Sequence, residues 1–298
     1  MSLADIKKIA ESAGFVCLEN EPMKAHTTFK IGGPAELFIE CSDIDGLGEL
    51  LPAVKDSGTK LTVIGNGSNL LVSDSGIKGV VLCICDSKVS VIGNTVTAAS
   101  GTKLSKVCTT ACDASLKGLE FAWGIPGSVG GAVYMNAGAY GGEMSQVVSA
   151  CTSVTRNGEI VKRTASELDF GYRTSAFKNT DEIILSAEFK LSFGEKAEIR
   201  SLMEDYIGRR KSKQPLEYPS AGSTFKRPAG NFAGALIEQC GLKGCSFGGA
   251  EVSEKPAGFI INKGGATCED VRRLVEHIKT TVQKNTGVTL ETEIIYLG

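Results

Sequence analysis

Residues 124–142 read Gly-Ile-Pro-Gly-Ser-Val-Gly-Gly-Ala-Val-Tyr-Met-Asn-Ala-Gly-Ala-Tyr-Gly-Gly, with seven glycines and no charged side chain. Glycine loses more backbone freedom on folding than any other residue, so this density is costly in ordinary structure. The cost is explained if the main chain passes close to a flat or phosphate-bearing ligand. The alternative is a long Ω-loop that packs only on its own side chains. We interpret the stretch as a ligand-binding loop.

Another glycine loop, Gly65-Asn66-Gly67-Ser68-Asn69, lies earlier in the chain, between the apolar runs Leu61–Ile64 and Leu70–Val72. We call it the first glycine loop, and residues 124–142 the second. A Rossmann fingerprint requires the spacing G-x-G-x-x-G between a strand and a helix. Here the third glycine is missing and the chain continues as a strand, which argues against that fold. The backbone N–H groups of such a loop still suit an anion. A plain turn is the alternative.

The composition is that of a globular protein without a strong overall charge. The 298 residues suffice for two or three domains, and the net charge of -2 gives no drive toward nucleic acid or anionic membrane. The ten cysteines include no C-x-x-C pair and the chain has two histidines, so we expect no metal site. The first residues fit an amphipathic helix rather than a signal peptide, and no apolar run approaches the about 20 residues of a membrane span. We therefore expect a cytoplasmic protein with reduced cysteines.

Periodicity and turn signals predict a mixture of helices and strands. Gly93-Asn94 and Asn157-Gly158 are typical of two-residue β-hairpin turns, and Thr267-x-x-Asp270 of a helix N-terminus. The predicted helices are one that ends near Gly14, then Asp43–Gly58, Lys103–Ala114, Glu195–Lys213, Ala233–Cys240 and about Glu269–Asn285. The predicted strands are Ala35–Glu40, Leu61–Ile64, Leu70–Val72, the hairpin arms Val89–Ile92 with Thr95–Ala98 and Val148–Thr155 with Glu159–Arg163, and a terminal strand Val288–Leu297.

Six motifs in a fixed order resemble one enzyme family over nearly the whole chain. They are His26–Gly33, Gly65–Asn69, Gly124–Gly131, Gly171–Arg173, Ala221–Lys226 and Leu290–Glu293. Each motif is weak alone, but together they resemble the UDP-N-acetylenolpyruvoylglucosamine reductase family, in its shorter form that lacks a tyrosine gating loop. The resemblance implies an α+β architecture, with a vanillyl-alcohol-oxidase-like (PCMH-type) FAD-binding fold in two lobes and a smaller α/β substrate-binding domain.

The resemblance also implies a division of the chain and a set of cofactors. FAD-binding lobe 1 is expected at residues 1–68, lobe 2 at 69–205, a substrate-binding domain at 206–286, and a C-terminal strand that carries a catalytic glutamate at 287–298. FAD is expected to be non-covalent, because related oxidases attach it to a histidine near the pyrophosphate loop and none lies between His26 and His277. NADPH is the implied hydride donor. The implied cofactor-binding residues are Ile64, Gly65, Asn66, Gly67, Ser68, Asn69, Leu70, Gly124, Ile125, Pro126, Gly127, Ser128, Gly130, Gly131, Ala132, Asn136, Ala137 and Gly138.

Three residues match the catalytic positions of the family. Arg173 is the implied grip on the substrate carboxylate, since a guanidinium stays charged and binds carboxylate in a bidentate fashion. Ser223 is the implied proton donor, and Glu293 the implied hydrogen-bond donor to the enol oxygens, which requires a raised pKa. Strand parity places Glu291 and Glu293 on one face, and only the motif register selects Glu293. Taken alone, the three residues fit a surface charge, a turn or cap serine and an exposed strand residue.

The implied substrate-binding residues are Tyr172, Lys213, Gly222 and Lys226. Lys213 ends the basic run Arg209–Lys213, for which a solvated helix C-terminus is the alternative. The implied reaction is the NADPH-dependent reduction of UDP-N-acetylglucosamine enolpyruvate to UDP-N-acetylmuramate for peptidoglycan. Its partners are the UDP-sugar and NADPH, with no nucleic acid and no membrane, and the oligomeric state stays open. Two other functions also remain open: a carbohydrate oxidase of the same flavin fold, and a non-catalytic nucleotide-binding protein.

Overall fold

A computed structural model describes all of residues 1–298, which form two compact units of three segments each. Unit 1 consists of Met1–Glu19, Leu37–Asn66 and Gly79–Arg210, and unit 2 of Asn20–Glu36, Gly67–Lys78 and Lys211–Gly298. The first glycine loop is therefore divided between the two units after Asn66. The four-part division expected from the sequence remains a prediction.

Seven α-helices and nineteen strands follow one another along the chain. The helices are α1 Leu3–Ser12, α2 Leu47–Asp56, α3 Leu104–Asp113, α4 Val129–Tyr134, α5 Lys196–Lys213, α6 Ala233–Gln239 and α7 Cys268–Thr286. The strands are β1 Val16–Pro22, β2 Pro34–Cys41, β3 Leu61–Ile64, β4 Leu70–Val72, β5 Ile77–Ile84, β6 Val89–Ile92, β7 Thr95–Ala99, β8 Leu116–Lys117, β9 Gly138–Ala139, β10 Gly142–Glu143, β11 Val148–Val154, β12 Ile160–Thr164, β13 Ile183–Lys190, β14 Ser192–Phe193, β15 Ser220–Ser223, β16 Ser246–Phe247, β17 Ala250–Val252, β18 Phe259–Asn262 and β19 Ile295–Leu297.

Unit 1 contains an antiparallel five-stranded sheet in the order β12-β11-β13-β7-β6. Both predicted hairpins are confirmed within it, since β6 pairs with β7 and β11 pairs with β12. Helices α3 and α4 contribute Val107, Val129 and Val133 to a core that includes Phe189 of β13. A second core in unit 1 joins α1 and α2 to β5, and β3 pairs with β5 in parallel. The sheet therefore supports both α4 and the glycine-rich segment that leads into it.

Unit 2 contains an antiparallel four-stranded sheet in the order β15-β18-β17-β16. Helix α7 packs on this sheet through Val271, Leu274 and Ile278, which are spaced to form one apolar face. Its predicted N-terminus is confirmed, because Thr267 and Asp270 form a capping box. Gly287, in the left-handed region with φ of 74°, ends the helix.

Two sequence-based boundaries were wrong. The terminal strand is Ile295–Leu297, paired in parallel with β4, instead of Val288–Leu297. Residues 291–293 instead bond to the segment after β15, with a single bridge between Phe225 and Thr292. Helix α2 begins at Leu47 instead of Asp43. None of the helices is long and apolar enough to cross a membrane.

Candidate active site

The second glycine loop is fixed to the segment between β7 and α3. The N–H of Val129 donates to the Thr102 carbonyl at 2.9 Å, and the N–H of Gly130 donates to the Ser100 carbonyl at 2.9 Å. A side chain at Gly130 would overlap the Ser100 hydroxyl and lie 3.2 Å from the Ser100 Cβ, so glycine favours this close approach. The loop thus has a fixed shape and is not a free Ω-loop.

A buried hydroxyl without a partner marks the centre of this arrangement. Ser128 is 3% exposed, and its Oγ forms no hydrogen bond. A side chain at Gly65 would overlap this hydroxyl, and one at Gly131 would touch it at 3.5 Å. Buried hydroxyls are normally hydrogen-bonded, so an orphan among glycines indicates a polar ligand group. The residues present therefore fit a phosphate-bearing dinucleotide such as FAD.

A cleft of about 650 Å³ opens in unit 1 beside the first glycine loop. Gly65 and Asn66 line it together with Gly101 and the lysines Lys103 and Lys106. The Asn66 side chain donates to the Pro126 carbonyl at 2.6 Å and so joins the two predicted loops. The volume of the cleft lies in the range of small-molecule sites, and the two lysines favour an anionic ligand.

Asn136 joins the second glycine loop to the predicted catalytic arginine. It is 2% exposed, and its side-chain amide donates to the Gly171 carbonyl at 3.0 Å and accepts from the Ser145 N–H at 2.9 Å. Gly171 and Thr174 close a tight turn through two backbone hydrogen bonds of 3.1 and 3.3 Å. Arg173 lies in this turn with φ of 55°, a left-handed conformation that is uncommon outside glycine. The half-buried guanidinium lies 5.4 Å from the ring of Tyr172, whose side chain is exposed.

Arg210 is a further cation at the second glycine loop that sequence reasoning did not select. Its Cδ lies 3.4 Å from the position of a side chain at Gly124, and its Nε is buried without a partner. Burial lowers the pKa of this guanidinium from its ordinary value. The helical spacing of Met203, Ile207 and Arg210 gave the available signal, because these positions share one face of α5.

In unit 2, Ser223 and Glu293 lie on neighbouring segments. The N–H of Glu293 donates to the Thr224 carbonyl at 2.8 Å, and the N–H of Thr224 donates to the Gly258 carbonyl at 2.9 Å. The buried Thr224 hydroxyl accepts from the N–H of Ile260 at 3.1 Å, which locks the segment to β18. Ser223 is exposed and Glu293 is half-buried. Backbone pairing therefore places the segments that carry the two predicted catalytic residues side by side.

The two candidate glutamates have different surroundings. Glu291 is exposed and forms an ion pair of 2.8 Å with Lys226, a predicted substrate residue. The Lys226 side chain lowers the pKa of Glu291. The Glu293 carbonyl instead accepts from the side chain of Asn69 at 3.1 Å. Asn69 was predicted to bind cofactor, and here it supports the main chain of Glu293.

Three further predicted residues, Gly222, Lys213 and Gly67, lie outside the contacts described above. Gly222 has φ of 76° with open space around it, and Lys213 is exposed at the end of α5. The Gly67 carbonyl accepts from the N–H of Thr28 at 3.2 Å within unit 2. Sequence reasoning missed Ser100 and Gly101. The small residues between β7 and α3 were the available signal for them.

Known proteins and family models match most of the chain. A model described as UDP-N-acetylenolpyruvoylglucosamine reductase, C-terminal domain, matches residues 214–297, and a model described as FAD binding domain matches residues 35–164. The UDP-N-acetylenolpyruvoylglucosamine reductase of Pediococcus pentosaceus is 49% identical over 282 residues, which cover 94% of each chain. That of Clostridium novyi is 50% identical over 277 residues, 93% of this chain and 90% of its own. The chain belongs to the UDP-N-acetylenolpyruvoylglucosamine reductase family.

Solved structures agree with membership of this reductase family. The crystal structure of the Thermus caldophilus reductase matches with a TM-score of 0.82 and 34% identity, over 95% of this chain and 99% of that one. Glucooligosaccharide oxidase from Acremonium strictum matches with a TM-score of 0.50 and 14% identity, over 96% of this chain and 60% of that one. At that identity the oxidase shows the fold alone. The vanillyl-alcohol-oxidase-like fold predicted from the sequence is thereby confirmed.

Proposed function

We propose that this protein reduces UDP-N-acetylglucosamine enolpyruvate to UDP-N-acetylmuramate, with NADPH as hydride donor and non-covalent FAD as cofactor. Identity of about half the residues with curated reductases over nearly the whole chain supports this activity. The geometric observation that carries the proposal is the pairing of residues 224–226 with 291–293, which places the segment that begins at Ser223 beside the segment that ends at Glu293.

FAD, when bound, supplies hydride transfer from NADPH to the vinyl carbon of the sugar. The chain would hold it by the two glycine loops, with the orphan Ser128 hydroxyl on its polar groups and glycine backbone against its phosphates. Lys103 and Lys106, which line the cleft, would attract the negatively charged phosphates. These groups bind and orient, because backbone amides and fixed cations need no rearrangement when a dinucleotide arrives.

Arg173 would stabilise the charge that develops on the substrate carboxylate. Hydride addition next to a carboxylate moves electrons into its oxygens. A fixed cation at this point therefore stabilises the transition state more than the ground state, which lowers the barrier. The turn between Gly171 and Thr174 holds Arg173 in a strained conformation. Such strain is typical of functional sites, where the surrounding structure fixes a side chain in position.

Ser223 would protonate the adjacent carbon, and protonated Glu293 would donate to the enol oxygens. Ser223 is an exposed residue of β15. A hydroxyl donates a proton only to a strongly basic carbon, which the enolate-like intermediate provides. Tyr172, Lys213, Gly222 and Lys226 would bind the rest of the UDP-sugar, the two lysines through its diphosphate charge.

Anaerobic absorbance of the purified protein separates the two half-reactions. One equivalent of NADPH should bleach the flavin band, and UDP-N-acetylglucosamine enolpyruvate should restore it. Return of the band only on admission of oxygen would point to an oxidase, and the absence of a flavin band even with added FAD would contradict the proposal.

Ser223→Ala should leave flavin reduction by NADPH nearly intact and slow reoxidation by the sugar about 10²-fold, as expected for a lost general acid. Ser246→Ala is the matched control, since Ser246 is an exposed serine of β16 in the same sheet. Both half-reactions should be normal in the control. Equal loss in the two half-reactions of Ser223→Ala would refute the proton-donor role.

The same proposal assigns the protein to the cytoplasm. NADPH and UDP-sugars are its implied reactants, and all ten cysteines are free thiols. Free thiols are typical of a reducing compartment.

A further inference from the structure

Two thiols lie in the wall of the cleft beside the first glycine loop. The sulfurs of Cys83 and Cys85 are 3.6 Å apart. Both residues line the cleft together with Gly65 and Asn66, with Cys85 exposed and Cys83 half-buried. Neither thiol has a part in the proposed reduction.

The strand geometry explains why the two sulfurs meet. Cys83 lies in β5, and the N–H of Cys85 donates to the Cys41 carbonyl at 2.7 Å, so the extended chain continues beyond the strand. Residues two apart in a strand point to the same side, with Cα atoms about 6.6 Å apart. A disulfide spans Cα separations up to about 6.8 Å with a bond of about 2.05 Å. The pair can therefore close, but only at the upper limit of normal geometry, which favours a bond that is easily reduced again.

The surroundings give the two thiols different roles. The hydrogen bond between the sulfurs raises the pKa of Cys83 and lowers the pKa of Cys85, and burial raises the former further. Partial burial of Cys85 and the charge of Glu40 both oppose the lowering of its pKa. Cys41 lies nearby, but burial raises its pKa to about 12 and its thiol donates to the Asp43 carbonyl at 3.2 Å. Cys85 is thus the accessible nucleophile and Cys83 the partner that resolves the exchange.

We propose that Cys83 and Cys85 form a reversible thiol–disulfide site, which low-molecular-weight disulfides oxidise and whose oxidation weakens the hold of the first glycine loop on a flavin dinucleotide. The Cys85 thiolate attacks one sulfur of the disulfide RSSR, whose S–S bond breaks and releases RS⁻. Cys83 gives its proton to that RS⁻, and its sulfur attacks Cys85 and releases a second RS⁻, which takes a proton from water. The pair loses two electrons, and RSSR gains them as two thiols. The effect on flavin rests on the proposed function.

The link to the loop runs through Gly65. The Cys83 thiol donates to the Gly65 carbonyl at 3.8 Å, and Cys83 is the β5 partner of Ile64 in the β3–β5 ladder. A side chain at Gly65 would in turn overlap the orphan Ser128 hydroxyl in its present rotamer. Oxidation removes the hydrogen on Cys83 and shortens the separation of the two sulfurs from 3.6 Å to about 2.05 Å. The first glycine loop then loses a contact at the point where it faces Ser128.

Peptide mass spectrometry tests the chemistry directly. Trypsin releases residues 79–88 as one peptide, which contains Cys83 and Cys85 and no other cysteine. After the native flavoprotein is incubated with oxidised glutathione and alkylated, this peptide should appear without alkyl groups and lighter by two hydrogens. The half-buried Cys240 and Cys245 are the internal comparison and should stay largely alkylated. A peptide 79–88 that remains fully alkylated would overturn the proposal.

Two variants test the assigned roles. In Cys83→Ser, glutathione should remain on Cys85 as a trapped mixed disulfide, because the resolving thiol is gone. In Cys85→Ser, Cys83 should stay reduced. Glutathione trapped on Cys83 instead would reverse the assignment and contradict the argument from exposure.

Flavin retention tests the effect on the loop. Ultrafiltration should release several-fold more flavin from the oxidised protein than from the reduced protein, and dithiothreitol should reverse the change. A disulfide that forms without any change in flavin release would refute the coupling. A reduced protein that binds no flavin at all would instead overturn the proposed function. The peptide experiment would still test formation of the disulfide independently.

Discussion

At the scale of single residues, the surroundings of Glu291 and Glu293 show what separates two chemically identical side chains. Glu291 is exposed and bound to Lys226, which keeps it ionised because the cation lowers its pKa. Glu293 is half-buried beside the Ser223 segment. A hydrogen-bond donor to an enol must be protonated, which an exposed carboxylate paired with lysine resists.

Glu293→Gln should therefore lower kcat of the sugar reduction at least about tenfold, because an amide is a weaker hydrogen-bond donor to the developing enolate oxygens than a carboxylic acid. Glu291→Gln is the matched control and should change KM by a few-fold at most, since it only releases Lys226. Steady-state kinetics on both variants separate the two effects. A larger loss of kcat in Glu291→Gln would mean that the motif register is wrong.

At the scale of elements, the junction between β7 and α3 depends on Gly101. A side chain there would lie 2.5 Å from the Ile84 carbonyl oxygen and 2.7 Å from that of Asp86. These atoms belong to the backbone and have little freedom to move. Gly48 in α2 is the opposite case, a helical glycine with open space around it.

Gly101→Ala should lower the free energy of unfolding by about 1–3 kcal/mol, as overpacking does. Gly48→Ala should raise it by up to about 1 kcal/mol, because alanine favours the helix. Urea denaturation followed by circular dichroism measures both. If Gly101→Ala is as stable as the unaltered chain, the close approach described for this junction does not exist.

The edge of the five-stranded sheet should make stability depend on pH. Glu182 accepts from Arg163 Nε at 3.0 Å and from the buried Ser153 hydroxyl at 2.6 Å. The hydrogen bonds from Arg163 hold the pKa of Glu182 below its usual value. A lowered folded-state pKa stabilises the fold above the unfolded value of about 4.3, and this stabilisation is lost as the pH falls through the lower folded value.

Glu182→Gln should cost about 1–2 kcal/mol at neutral pH, and the difference should shrink toward pH of about 3. Glu188→Gln on β13 is the control, because its ion pair with the exposed Lys162 lies at the surface and is worth little. Denaturation at the two pH values gives the comparison. A difference that grows in acid would contradict the sign of the pKa shift.

At the scale of the whole molecule, the fold supplies a dinucleotide site without a Rossmann motif. Two glycine loops approach one another through Asn66, and the orphan Ser128 hydroxyl lies among them. The same fold occurs in an oxidase of 14% identity, so the scaffold does not determine the reaction. In the function proposed above, Arg173, Ser223 and Glu293 would do so.

The purified protein should be yellow, and acid or heat should release the flavin into the supernatant. No histidine lies between His26 and His277, so the chain between them lacks the residue to which related oxidases attach FAD. Absorbance of the supernatant and of the precipitate after heating gives the answer. Colour that stays with the precipitated chain would show a covalent bond.

The sequence by itself determined the features that depend on neighbouring residues. Turn pairs such as Asn157-Gly158 predicted the hairpins, the Thr267 capping box predicted the start of α7, and the ordered motifs predicted the family and the fold. Local backbone preference and hydrophobic period are properties of short segments, so they can be read directly.

Only the tertiary structure decided which distant segments meet. It shortened the terminal strand to Ile295–Leu297, because residues 291–293 bond to the segment after β15 and not to a neighbouring strand along their length. It also gave Glu293 and Glu291 different surroundings. The structure further showed that the Ser128 hydroxyl has no hydrogen-bond partner, and it placed Cys83 and Cys85 in the wall of the cleft. Contacts between segments far apart in the chain depend on the packing of the whole core, and no local pattern in the sequence encodes that packing.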